Sequence, residues 1–262
     1  MPRRIILHAG FHQTGTRRLQ DALKENRVAL KKQVAVRLPW HMPDLLAATR
    51  DYALTRDAAA LTLCQDRFAA LLDALPGMPR RSLILSSADL GGQMPGRGTV
   101  TDYGAAPDML YAFWHLAHER FPNAEIMVFL TTRGPAPWLR AVYAHHLAVS
   151  KLNLSFDAFC AQAAGTAQLD AVAAEITSRV PAPVHTCAAE TAVDHPLQTL
   201  DPLLALCDVP EDLRVTLTPV APPPAPPEPD VLTALLEINR TQQNPAERRA
   251  AKDALLGVGA PR

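Results

Sequence analysis

Ile5-Ile6-Leu7-His8-Ala9-Gly10-Phe11-His12-Gln13-Thr14-Gly15-Thr16-Arg17-Arg18 is the stretch that decides the fold. Its first five residues form a short, nearly unbroken apolar run, as a strand buried on both faces requires. The run stops at Gly10. From Thr16 onward Leu19, Ala22, Leu23 and Leu30 recur at helical spacing, so residues 5–30 read as strand, glycine turn and helix. Two glycines five positions apart between a strand and a helix let the backbone wrap an anion. Backbone N–H groups and the positive helix end supply the attraction. Arg17 and Arg18 sharpen the point, because a cation in the first helical turn opposes the helix dipole by ~0.3–1 kcal/mol. A bound anion would compensate them; the alternative is a glycine turn carrying solvated arginines. His8, on the strand, reads as a hydrogen-bonded core histidine.

Outward from this loop the chain keeps alternating. Residues 33–38 read as a second strand, followed by a long helical stretch in which Leu61, Phe68, Leu71, Leu72 and Leu75 share one face of residues 59–75. Residues 82–87 (SLILSS) form a third buried strand, 107–121 a helix, and 125–132 (EIMVFLTT) the strongest strand in the chain. Residues 136–150 read as helix, Ser155 caps FDAFCAQAA, and 184–187 form a last strand. Alternating β and α elements with unbroken apolar strands predict an α/β fold, a parallel sheet covered by helices on both faces. Residues 91–106, GGQMPGRGTVTDYGAA, are Gly-rich and uncapped, the composition of a mobile lid or a disordered loop.

One composition shift sets the domain organisation. Residues 219–229 read PVAPPPAPPEP, seven prolines in eleven residues, an extended stiff spacer. The expected layout is a domain over 1–218, a Pro-rich linker over 219–229 and a short helical tail over 230–262. In the tail Asp230 is placed to cap VLTALLEINR, and Asn244-Pro245 supplies an N-cap followed by proline at the first helical position.

Composition excludes several classes. The 262 residues carry 26 Lys+Arg against 26 Asp+Glu, and a pI near 7.1 leaves no basic excess for general nucleic-acid binding. Cys64, Cys160, Cys187 and Cys207 are widely spaced, so reduced thiols are expected instead of a disulfide framework or a structural zinc. No metal site is expected. The first residues lack the long apolar core of a signal peptide, and no segment approaches ~18–20 consecutive apolar residues. A protein of the cytoplasm without membrane contact is the expectation. The oligomeric state is not readable.

The loop has the form G-x-x-x-x-G followed by Thr-Arg where a Walker A loop has Lys-Ser/Thr, which argues against a standard NTPase. It resembles instead the 5′-phosphosulfate loop of bacterial sulfotransferase-like proteins, of the type G-x-H-K-T-G-T-[ST]-x-L-Q. The match covers His12, Thr14, Gly15, Thr16, Leu19 and Gln20. After the strongest strand that family carries an Arg, and eight residues later a Ser, both gripping the 3′-phosphate of the nucleotide. Here Arg133 matches, and Trp138-Leu139 and Tyr143 look like the family's aromatic positions. Ser86-Ser87-Ala88-Asp89-Leu90 is similar to the family's Ser-x-Glu segment. The resemblance spans roughly the first 150 residues. It implies a P-loop-type sheet and the co-substrate 3′-phosphoadenosine-5′-phosphosulfate. Gly10, Gln13, Thr14, Gly15, Thr16 and Arg17 would lie on its 5′ side and Arg133 on its 3′-phosphate.

Three departures fall on the chemistry. Gln13 stands where the family has the lysine that stabilises charge on the bridging oxygen, and losing such a donor typically costs ~10²–10³ in rate. Arg17 or Arg18 could bring the missing charge from another angle. Ala141 replaces the serine and Ala88 the acidic residue, leaving Asp89 one position along. The general base is therefore open among Asp89, His12, His115, His145 and His146, with Gln13, His12 and Asp89 as the catalytic candidates. His145 and His146 also read as surface residues. The function implied is sulfuryl transfer to a hydroxyl or amine of a small-molecule or glycan acceptor that the sequence does not identify. The alternative is a catalytically degenerate nucleotide- or partner-binding protein of the same fold. A phosphoryl-transfer enzyme ranks last, because no metal-binding Asp follows a strand.

Overall fold

The computed structural model of the chain describes residues 1–222 and 225–257; the centre of the Pro-rich segment and the last five residues of the tail lie outside the described residues. The chain forms two compact units, Met1–Gly134 with Gln168–Pro223, and Pro135–Ala167 with Pro224–Arg262.

The first unit is built on five parallel strands: β1 (Arg4–His8), β2 (Val34–Arg37), β3 (Ser82–Ser86), β4 (Glu125–Thr132) and β5 (Val184–Ala188). Their order is β2-β3-β1-β4-β5, so the α/β reading is correct, and β4 has the bounds expected from its sequence. Alternate residues serve opposite faces. Ile6, Ile84, Met127 and Phe129 face one layer, where Leu19 and Leu23 of the helix Thr16–Glu25 meet Leu200, Leu203 and Leu204 of the helix Leu200–Leu206. The helices Ala106–Arg120 and Leu169–Arg179 also pack on β4, and Phe68 of Ala58–Asp73 stacks on Phe113 at 4.5 Å. All four cysteines are free, and no helix is long and apolar enough to cross a membrane among the described residues.

Several expectations are corrected. The helix over 16–30 breaks at Asn26, because this buried side chain donates to Ala22 O and Thr218 O while accepting from Thr218 N–H, at 2.8–3.1 Å. A short second helix, Arg27–Leu30, follows the break. Residues 91–106 are anchored, with Met94, Val100, Tyr103 and Ala105 all buried. Gly92 and Gly98 supply the left-handed turns (φ 97° and 59°) that fold this segment back on itself. The Pro-rich segment starts on the body: Val220 is in the core and its N–H donates to Pro196 O at 2.8 Å.

In the second unit the helices Pro135–Val149 and Phe156–Ala163 associate with the tail helices Pro229–Thr241 and Pro245–Leu255. Asp230 is not the cap of the first tail helix. Pro229, whose fixed φ suits the first helical position, starts the helix two residues earlier with Glu228 as N-cap. Asn244 does cap the second, accepting from Ala246 N–H and Glu247 N–H, and Ser155 caps Phe156–Ala163. Asn239, fully buried, donates to Leu147 O (3.1 Å) and Leu152 O (2.9 Å), satisfying the end of the helix Pro135–Val149. Asn239→Ala should cost about 2–3 kcal/mol in a urea titration, because it leaves two carbonyls unpaired. An unchanged midpoint would show that this bond pair does not hold the tail helix.

Candidate functional site

In an open parallel sheet, ligands bind beyond the carboxyl ends of the strands, where successive connections leave in opposite directions. Here β1 and β4 are neighbours, although the chain visits β2 and β3 between them. Their exits run together: Ala9 N–H donates to Phe129 O and Phe11 N–H to Thr131 O, both at 3.2 Å. The loop from Gly10 to Thr16 and the residues following Thr132 therefore share one edge.

Gly10 is a glycine for steric reasons. A Cβ there would collide with Thr131 Oγ1 and lie 2.8 Å from both His8 Nε2 and Thr16 Oγ1. Beyond it Gln13 (φ 64°) and Gly15 (φ 95°) take left-handed conformations that turn the chain into the helix. Gly15 is the N-cap, no acid stands in the first turn, and among the described residues no side chain caps the helix, which leaves its leading N–H groups open. The threonine hydroxyls are committed inward. Thr14 Oγ1 donates to Phe11 O (2.5 Å) and pairs with Thr131 Oγ1 (2.6 Å), with Thr16 Oγ1 3.5 Å from the latter. What Thr14 and Thr16 offer outward is backbone.

Arg133 comes to the loop, its Nη1 donating to Gln13 O at 3.1 Å. Its Nε lies 3.9 Å from Glu190 Oε1, which accepts from Gly134 N–H at 3.1 Å. Arg18 reaches the loop from the helix side, with Nη2 3.3 Å from the Cβ position of Gly15, while Arg17 is exposed. Leu19 is core and Gln20 is structural, tying the helix to the end of β3 through Ser86 O (3.0 Å) and Ser86 Oγ (3.2 Å).

His12 and Asp89, 77 residues apart, are brought together: His12 Nε2 lies 3.0 Å from Asp89 Oδ1. Arg50 Nη1 donates to Asp89 Oδ2 at 2.7 Å, and Ser87 Oγ accepts from Asp89 N–H. Burial pushes the Asp89 carboxyl up, but the hydrogen bond from His12, with Arg50 behind, brings it below the usual carboxylate range. Tyr103 Oη accepts from His12 N–H (3.1 Å) and lies 3.0 Å from His12 Nδ1. Burial pushes the phenol well up, so it keeps its proton and donates it to Nδ1. His12 then carries its proton on Nε2, facing Asp89, a tautomer set by the network.

The other histidine candidates lie elsewhere. His115 is exposed beside Glu119 at 3.5 Å. His145 and His146 belong to the second unit, where His146 is buried near Phe159, so it is not a surface residue. His8 is the core histidine expected, bonded to Ser86 Oγ at 2.8 Å. Arg50, Tyr103 and Glu190 were invisible in the sequence: an arginine inside an ordinary helix, a tyrosine in a glycine-rich segment and a glutamate after a weak strand match no motif. A cleft of about 380 Å³, lined by Ala53, Leu54, Arg56, Val100, Asp102 and Gly104, opens beside the segment that carries Tyr103.

No family model matches the chain, and neither does any curated protein. Among solved structures it matches the crystal structure of a sulfotransferase from Alicyclobacillus acidocaldarius. The match covers 98% of this chain and 96% of that one, at a TM-score of 0.50 and 16% identity. The fold is that of a sulfotransferase. At this identity the likeness concerns architecture, and it agrees with the resemblance carried by the loop after β1.

Proposed function

We propose that the chain binds 3′-phosphoadenosine-5′-phosphosulfate at the Gly10–Thr16 loop and Arg133, and transfers the sulfuryl group to a hydroxyl or amine acceptor. The observation that carries this reading is the contact of Arg133 with the carbonyl of Gln13, which joins two stretches 120 residues apart at one anion-seeking loop. An uncapped helix start, a left-handed glycine at its N-cap and two guanidinium groups suit a phosphosulfate dianion.

When bound, the donor supplies an activated sulfuryl group; the protein positions and neutralises. The N–H groups at the start of the helix hold the 5′ end, and Arg133 faces the 3′-phosphate. For His12 to take the acceptor's proton, the acceptor hydroxyl replaces Tyr103 as the donor to Nδ1. Asp89, kept ionised by His12 and Arg50, then steadies the imidazolium.

The test is calorimetry with adenosine 3′,5′-bisphosphate. Micromolar binding is expected, weakened about 10–100-fold in Arg133→Ala, the loss of a charged hydrogen-bonding partner. No binding at high micromolar concentration, or equal binding by the variant, removes the reading. Gln13 in place of lysine favours one second reading, a silent nucleotide-binding protein of the same fold. Tight binding of the bisphosphate without any release of labelled sulfate from the donor would support it.

A further inference from the structure

We infer that Arg18 carries the positive charge the loop lacks at Gln13, gripping the 5′-phosphosulfate end of the donor from the side of Gly15. The inference rests on the donor-binding reading above and deepens it.

Of the two adjacent arginines only Arg18 turns back over the loop. Its Nη2 lies 3.3 Å from the Cβ position of Gly15, whereas Arg17 is exposed. Its other terminal nitrogen is fixed: Nη1 donates to Gln198 Oε1 (2.6 Å) and to Ala221 O (3.2 Å). Among the described residues Nε and Nη2 have no acceptor, so half of a rigid fork is left for a ligand. Arg133 approaches the same loop from the Gln13 side. Burial and then the charge of Arg133 hold the Arg18 guanidinium below its ordinary proton affinity, so the two cations feel one another across the loop. Arg18 also stands in the first turn of its helix, where a cation opposes the dipole. Each of these penalties is relieved by one occupant with two anionic ends, the 5′ end on the N–H groups of the loop against Arg18 and the 3′-phosphate against Arg133. Gln13 adds no charge, so a group with the density of a phosphosulfate or diphosphate meets its positive counterpart in Arg18.

The experiment is calorimetry on the full chain with two probes, adenosine 5′-phosphosulfate and adenosine 3′-monophosphate. Arg18→Gln is expected to weaken the first about 10–100-fold and the second by less than twofold, since only the first presents a 5′ anion. Arg18 also pins Gln198 and Ala221, so a loss of binding alone could reflect a displaced loop. The double variant Arg18→Gln with Gln13→Lys separates the two: a lysine at the loop should recover most of the lost affinity if Arg18 acts by charge. An unchanged affinity for adenosine 5′-phosphosulfate in Arg18→Gln overturns the inference, as does failure of the lysine to recover it. Both of those outcomes leave adenosine 3′-monophosphate bound. A wild-type chain that binds neither probe removes the donor reading itself, and this inference with it.

Discussion

Gly10→Ala should destabilise the protein by about 3 kcal/mol, lowering Tm by about 6–12 °C, and should abolish anion binding at the loop. The new methyl would occupy space already held by Thr131 Oγ1, with His8 Nε2 and Thr16 Oγ1 each 2.8 Å away. Thr131 has no long stem with which to yield, and its hydroxyl is engaged with Thr14 Oγ1 at 2.6 Å. Relief requires the end of β1 to move away from β4, which carries the whole loop with it. Thr131→Ala in the same background removes the closest clash and should restore part of the lost stability, although the His8 and Thr16 contacts remain. Melting curves of the wild type, the single and the double variant decide this; equal Tm for wild type and Gly10→Ala would mean that the strands do not cross as closely as described.

The second large effect is on acid stability. His8 is completely buried, and burial alone pushes its pKa down to about 3. In the unfolded chain it returns to about 6.5. Between those values the unfolded state binds the additional proton, so stability is fully present above pH 6.5 and falls as the pH drops toward 3. At pH 4.5 the loss from this one group amounts to about 2.7 kcal/mol. His8→Asn does not titrate. Comparing urea unfolding at pH 7.5 and 4.5, the wild type should therefore lose that much more than the variant, whatever the carboxylates contribute to both. Parallel losses would show that His8 takes up its proton in the folded state.

The parts of the molecule legible in the sequence are those where one local rule dominates. An apolar run such as residues 125–132 leaves a strand little alternative, and glycine at positions 10 and 15 announces a turn between strand and helix. Long-range polar pairing carries no such local mark. Asn26 looks like any helix residue until Thr218 pairs with it, and the helix then ends there. Arg50 reaches Asp89 across 39 residues and Tyr103 reaches His12 across 91. The loop 91–106 is rich in glycine yet packed, because four of its side chains find the core. The same contrast holds at the site. Gln13, Thr14 and Thr16 could be picked out from the loop's pattern, but that the threonine hydroxyls face inward and Arg18 folds back over Gly15 depends on Thr131 and Gln198, residues no spacing connects to them.

The most direct measurement is a crystal structure of the chain grown with adenosine 3′,5′-bisphosphate. The 5′-phosphate should rest on the N–H groups of residues 13–16, with Arg18 on one flank and the 3′-phosphate within reach of Arg133. A nucleotide seated instead in the cleft beside Asp102, with the loop empty, would contradict the account.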